Sequence, residues 1–198
     1  GIYTIGGTNP DYATIAAAVN DLGITSIDGH VYFNIRTGTY YEQVSIERIW
    51  GANESNTVTF QPESGASVTM TFEPTSTDNY IVQFDDADYV TFKNMTFTAT
   101  GTDYGGVFLF NDGSNCITLD SNIINGISTT STSGCEVLSS ANSSENNHIT
   151  ISNNEINNGS NGIYLEGESL SNLEEGNVIF NNTIQDFHFY GMILISQD

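Results

Sequence analysis

Basic residues are nearly missing from this chain. Arg36, Arg48 and Lys93 are its only Lys and Arg, against 24 Asp and Glu in 198 residues, and the formal net charge is −21. Nucleic acids and anionic membrane surfaces are held through basic patches, so neither is expected as a partner, and no membrane insertion is expected. Proline is scarce at three residues and cysteine at two. Cys116 and Cys135 show no metal-ligand spacing. Alternation turns them to opposite faces, which argues against a disulfide and leaves the redox compartment open. The three histidines have no partner pattern, and His148 reads as exposed. Long helical patterns are lacking as well.

What the chain does have is a period. Gly106, Gly134, Gly162 and Gly191 follow one another at intervals of 28, 28 and 29 residues, and each precedes a short apolar run: Val107-Phe108-Leu109, Cys135-Glu136-Val137, Ile163-Tyr164-Leu165 and Met192-Ile193-Leu194. A second column reads apolar–Thr–apolar: Val58-Thr59-Phe60, Val90-Thr91-Phe92, Ile117-Thr118-Leu119 and Ile149-Thr150-Ile151, with Asn177-Val178-Ile179 as a degraded copy. A fixed period in this range means one supersecondary unit stacked on itself. The alternation places the aliphatic residues on one face and the threonines on the other. Three residues past Leu119, Ile151 and Ile179 stand Asn122, Asn154 and Asn182. Asparagine tolerates left-handed backbone angles and can hydrogen-bond along a stack, so these three are read as a structural ladder at a bend. The copy at Phe92, followed by Asn94 and Phe97, is expected to bend differently.

The expected fold is all-β: a right-handed parallel β-helix with an N-terminal capping helix. The helix is expected from an Asn9 cap and Pro10 to a stop at Gly23, with Ile15, Val19 and Leu22 on its buried face. Strands 31–35 and 41–46 should flank a turn at residues 37–39. One domain is expected, with residues 1–50 as cap and first strands and 51–198 as coils of about 28–32 residues. The Ser/Thr/Asn stretches at 128–133 and 139–147 read as protruding loops. The apolar strand 190–196 lies two residues from the last residue with no polar cap after it. That pattern reads as a cut through a longer solenoid or an end covered by another subunit, so further β-helix coils or a subunit are expected there.

The segment Asp11–Leu22, with Arg36-Thr37-Gly38-Thr39-Tyr40-Tyr41-Glu42-Gln43-Val44 after it, resembles the opening of pectin-lyase-like right-handed β-helix proteins, above all the pectinesterase type. The later repeats are similar to those of large secreted Bacteroidetes-type surface proteins. The resemblance implies the fold and a secreted, extracellular or cell-surface location. It does not choose among lyases, hydrolases, esterases and binding proteins. The pectinesterase and polygalacturonase motifs are missing, apart from an isolated Asp85-Asp86. Arg36 and Arg48 fall in the cap region, which leaves Lys93 as the one base on the repeats. A site for polyuronate should carry more positive charge.

No catalytic residue is therefore assigned. Lys93 could serve as a lyase base but reads more simply as a solvated lysine among acids. Asp85, Asp86 and Asp88 form the densest carboxylate cluster. Oxygen ligands on a tight turn suit calcium, the one cofactor the chain suggests, although the spacing matches no calcium loop. Glu166, Glu168, Glu174 and Glu175 read as a second acidic loop. The threonine column resembles an ice-binding face, interrupted by Gln61, Lys93, Asp120 and Ser152 beside it. Tyr104, Phe108, Tyr164 and Tyr190 are expected on or beside outward positions, where rings can stack on sugars. With Lys93 they are the candidate ligand-binding residues. The expected function is a non-catalytic extracellular module for polysaccharide binding or cell-surface adhesion. The alternative is a fragment of a carbohydrate-active enzyme (lyase, hydrolase or pectinesterase-like) whose catalytic residues lie in coils outside this sequence.

Overall fold

The computed structural model describes residues 1–141 and 144–198. Three parallel sheets run the length of the molecule. The first has seven strands, in order Ile2–Ile5, Val31–Ile35, Val58–Pro62, Val90–Lys93, Thr118–Asp120, Thr150–Ser152 and Val178–Phe180. The second has six: Gly38–Tyr41, Val68–Phe72, Thr96–Ala99, Ile123–Asn125, Glu155–Asn157 and Thr183–Gln185. The third also has six: Val44–Ile46, Val82–Asp85, Phe108–Asn111, Leu138–Ser140, Asn161–Glu166 and Tyr190–Ile195. The chain visits the three sheets in turn and drops one rung per circuit. This is a right-handed parallel β-helix, the hand that parallel crossovers adopt. The coil starts before residue 51, because strands 31–46 already complete a circuit. Residues 38–41 are a strand of the second sheet and not a turn.

The threonine column holds its register. Thr59 pairs with Thr91, Thr91 with Thr118, and Thr118 with Thr150. The aliphatic neighbours of this column fill the interior, where Phe33, Phe60 and Phe92 stack with ring centroids 4.8 and 4.6 Å apart. Rung spacing in a parallel sheet is about 4.8 Å, so in-register rings meet face to face. Tyr40, Met70, Phe97, Ile124, Ile156 and Ile184 form the matching interior column of the second sheet. Phe97 occupies the position of Ile124, so the copy after Phe92 bends like the others, with Met95 in place of the asparagine.

Asn122, Asn154 and Asn182 are bonded along the stack. The Met95 backbone N–H donates to Asn122 Oδ1 (3.0 Å), that of Asn122 to Asn154 Oδ1 (2.9 Å), and that of Asn154 to Asn182 Oδ1 (2.9 Å). Each side-chain amide donates back to a carbonyl of the rung above: Phe92, Leu119 and Ile151. The left-handed residue is the one before the ladder. Asn94, Ser121, Asn153 and Asn181 have φ of 59°, 58°, 57° and 54°, so bend and bond are divided between neighbours. A second chain of such bonds runs from Ala87 N–H to Ser114 Oγ, from Ser114 N–H to Asn146 Oδ1, and from Asn146 N–H to Glu174 Oε1. Glu174 is accordingly buried within the stack and not on an acidic loop.

The glycine column needs correction. In the third sheet Val82, Phe108, Leu138, Ile163 and Met192 share a column. Gly162 and Gly191 stay aligned, but Cys135 lies three residues before the column. At these corners two successive N–H groups share one carbonyl: Ile81 and Val82 on Val107 O, then Val107 and Phe108 on Val137 O. Such a bulge buries two consecutive residues and shifts the alternation by one. Phe108 is therefore fully buried and Leu109 faces outward.

The cap helix is Ile15–Ile24, later than expected. Thr14 is its N-cap, accepting from the Ala17 N–H at 3.0 Å, and Asn9 has a left-handed φ of 49° that no helix admits. Glu42 adds a second cap from outside, its carboxylate accepting from the Ile15 and Ala16 N–H groups at 3.3 and 2.7 Å. A carboxylate there also meets the positive end of the helix dipole. Gly23 lies inside the helix, which Thr25 closes through a bond to Asp21 O. At the opposite end the interior column is open, with Met192 40% and Leu194 48% exposed.

Replacing Asn154 with Ala strips partners from the buried Asn122 N–H and Leu119 carbonyl. Leaving such groups unpaired should cost about 3 kcal/mol, read from the urea midpoint. Ser121→Gly should change stability by less than about 0.5 kcal/mol, because relief of the left-handed side chain is offset by loss of its bond to Asp120.

Candidate functional site

Between the second and third sheets two successive coils do not turn tightly but loop outward. After Phe72 the chain runs through residues 73–81, and one rung later, after Ala99, through 100–107. The two loops stand beside each other along the axis and enclose an open cleft of about 440 Å³. Ligand sites commonly fall between about 300 and 1,000 Å³. One wall carries Glu73, Pro74, Thr75 and Ser76; the other carries Thr102, Asp103 and Tyr104; and Tyr41 reaches in from the rung above.

Local bonds fix both walls. Thr75 N–H donates to Asp78 O and Asp78 N–H to Thr75 Oγ1, which closes the first loop on itself. The Gln43 amide donates to Asp78 O (3.0 Å) and Tyr80 O (2.8 Å), tying that loop to the rung above. Asn79 donates to Gly134 O and accepts from Gly106 N–H, so one side chain spans three loops. In the second loop a Cβ at Gly101 would stand 2.8 Å from Tyr104 O, so only glycine lets this loop close. Tyr41 is 61% exposed, yet its ring rests on Phe72 with centroids 5.3 Å apart. An exposed ring held by an apolar neighbour is a preset stacking surface.

Of the residues expected to bind a ligand, only Tyr104 lies in this cleft. Phe108 is in the core. Tyr164 is on the outer face of the third sheet, its hydroxyl donating to Glu166 at 2.7 Å, which raises the phenol pKa. Tyr190 is on the open last rung, its ring 4.2 Å from that of Phe189. Lys93 is on the outer face of the first sheet, in register with Asp120. Glu73 and Asp103 belong to no repeat column. The signal that finds Tyr41 is its pairing with Thr71 on the outer face of the second sheet.

The three carboxylates proposed for calcium part company. Asp86 forms a bidentate pair with Arg48 at 2.8 and 3.2 Å. Asp85 accepts from Asn111 at 3.0 Å, and burial pushes its pKa up. Asp88 accepts from the Asn115 N–H at 2.9 Å as part of the stack. Consecutive side chains on a β rung point in different directions, so sequence density does not become a ligand set. Among the described residues no three His, Cys, Asp or Glu converge on a metal position. Cys116 and Cys135 are both free thiols.

A second groove, of about 410 Å³, follows the corner before the first sheet, past Tyr89, Cys116 and His148. Three of its acceptors are already used: Asp88, Asn115 and Asn147 each take a backbone N–H through Oδ1. The cleft at Tyr41 and Tyr104 offers two rings and uncommitted polar groups, and is the better site.

No protein-family model matches the chain, and no curated protein matches it significantly. Two solved structures are similar in fold, both of a pectin methylesterase from Aspergillus niger, one deglycosylated and one retaining an N-acetylglucosamine stub. Each covers 98% of this chain and has 81% of its own length matched, at a TM-score of 0.45 and 13% or 14% identity. Likeness at that level says nothing about activity. Among the described residues no helix is long and apolar enough to cross a membrane.

On the first sheet, burial pushes the Asp120 carboxyl up. Donors from Ser152 (2.7 Å), Asn153 (2.7 Å) and Ser121 (3.1 Å), together with the Lys93 charge, outweigh burial and hold its pKa below the ordinary value. A depressed carboxylate stabilises the fold above its unfolded pKa and loses that contribution as pH falls through the folded one. Wild type should therefore exceed Asp120→Asn in stability above about pH 4, with the gap closing as acid is added. Paired urea titrations across the acidic range check it.

Proposed function

We propose that this chain is an extracellular carbohydrate-binding β-helix, and that a sugar chain lies in the cleft between residues 73–76 and 101–104. The observation that carries this reading is the pair of tyrosines at one cleft, Tyr41 preset on Phe72 and Tyr104 on the adjoining loop, surrounded by hydroxyls and carboxylates. A pyranose offers an apolar face to a ring and an equatorial rim of hydroxyls to polar groups. The cleft supplies both kinds of partner. Bonds from Gln43, Thr75 and Asn79 hold the loops beforehand, which lowers the ordering cost of binding.

Catalysis is the second reading. It rests on Glu73 and Asp103, one on each wall of the same cleft, since paired carboxylates are the usual apparatus for cleaving glycosidic bonds. Chain shortening of a bound oligosaccharide, abolished in Glu73→Gln, would put hydrolysis in place of simple binding. Methanol release from esterified pectin would put esterase chemistry there instead.

A glycan array followed by calorimetry on the best oligosaccharide tests the main reading. Tyr41→Ala and Tyr104→Ala should each weaken binding about tenfold, the loss of one stacking contact of about 1.4 kcal/mol. Tyr164→Ala, on another face, should bind as wild type does. Binding that survives both cleft variants, or no glycan bound at all, overturns the assignment.

A further inference from the structure

Resting on that reading, we infer that the sugar this cleft selects is cationic: a polymer of amino sugars with free ammonium groups, in preference to acidic or N-acylated ones. Of the titratable side chains lining the cleft, Glu73 and Asp103 are carboxylates, both exposed, and none is a base. The whole sequence has three basic side chains, and the structure places all three elsewhere. Arg36 is held by the Gly6 and Thr8 carbonyls and lies 3.8 Å from Glu63. Arg48 is paired with Asp86. Lys93 is on the outer face of the first sheet.

A polyuronate entering here would set its carboxylates against Glu73 and Asp103, in the field of a protein of net charge −21. Nothing in the cleft would compensate, and like charges brought together at a binding surface oppose it strongly. An ammonium on each sugar reverses the sign of every one of those terms. Stacking on Tyr41 and Tyr104 is indifferent to the substituent, so rings supply affinity and carboxylates supply choice. Oriented pairing on two loops also concentrates the diffuse attraction at one place.

The test uses three hexamers of one backbone length: β-1,4-linked glucosamine, its fully N-acetylated form, and a galacturonate hexamer, each titrated calorimetrically at low and at high salt. The glucosamine hexamer should bind about tenfold tighter than the acetylated one at low salt, with the difference shrinking as salt rises. The double variant Glu73→Gln, Asp103→Asn should lose most of that preference, its affinity for the glucosamine hexamer falling toward its affinity for the acetylated one. Equal binding of the two amino-sugar hexamers, or tighter binding of the uronate, overturns the inference and leaves the cleft as a sugar site. Preference persisting in the double variant overturns it too, because the attraction is then to the acidic surface at large. If none of the three is affected by Tyr41→Ala, the site itself falls with it.

Discussion

In a coil of parallel strands the amide groups at every corner point along the axis, and no hydrogen-bond partner lies within their own rung. They must be met from the rung above or below, in the dark of the interior, where an unpaired amide is costly. Here side chains meet them. Asn122, Asn154 and Asn182 do so at one corner, and Ser114, Asn146 and Glu174 do so at another. These bonds require each rung to lie directly over the next, and the same alignment stacks Phe33, Phe60 and Phe92. Register, core packing and amide satisfaction are one constraint seen three ways.

That constraint explains which parts of the molecule could be read from its residues. The threonine column and the asparagine ladder recur, every 27 to 32 residues, because each member touches its own equivalent. The column of glycines misled at Phe108, because a bulge buries Val107 and Phe108 together and no alternation rule anticipates two N–H groups on one carbonyl. The acidic run at Asp85–Asp88 misled for a related reason. Neighbours in sequence are sent to an arginine, an asparagine and a backbone amide. Glu174 looked like surface and proved to be a rung of a ladder, its burial made tolerable by donors from Asn146, Asn177 and Gln197.

The cleft was the least legible part. Its two loops are outside the repeating columns, and Tyr41 joins Tyr104 only because the coil sets one circuit beside another. Tyr104 was visible as an aromatic on or beside an outward strand position. Its partners were not, since nothing in their local sequence marks a common destination. The motif that resembled a pectinesterase opening has its own physical role, because its glutamate, Glu42, caps the helix N-terminus. A family signature of that kind reports on how the stack is closed and is silent on chemistry.

The division of work at each corner has an evolutionary side. A left-handed residue such as Asn94 or Asn153 makes the turn, and its neighbour stitches the turn to the next circuit. The corner carrying the cleft is tied near its ends, by Gln43 to the Asp78 and Tyr80 carbonyls and by Asn79 to Gly106 and Gly134. Swaps at the exposed positions Glu73, Thr75, Ser76, Thr102 and Asp103 can accumulate there without unsettling the interior. A scaffold built this way can change what it recognises while its trunk stays the same, much as one handle accepts many blades.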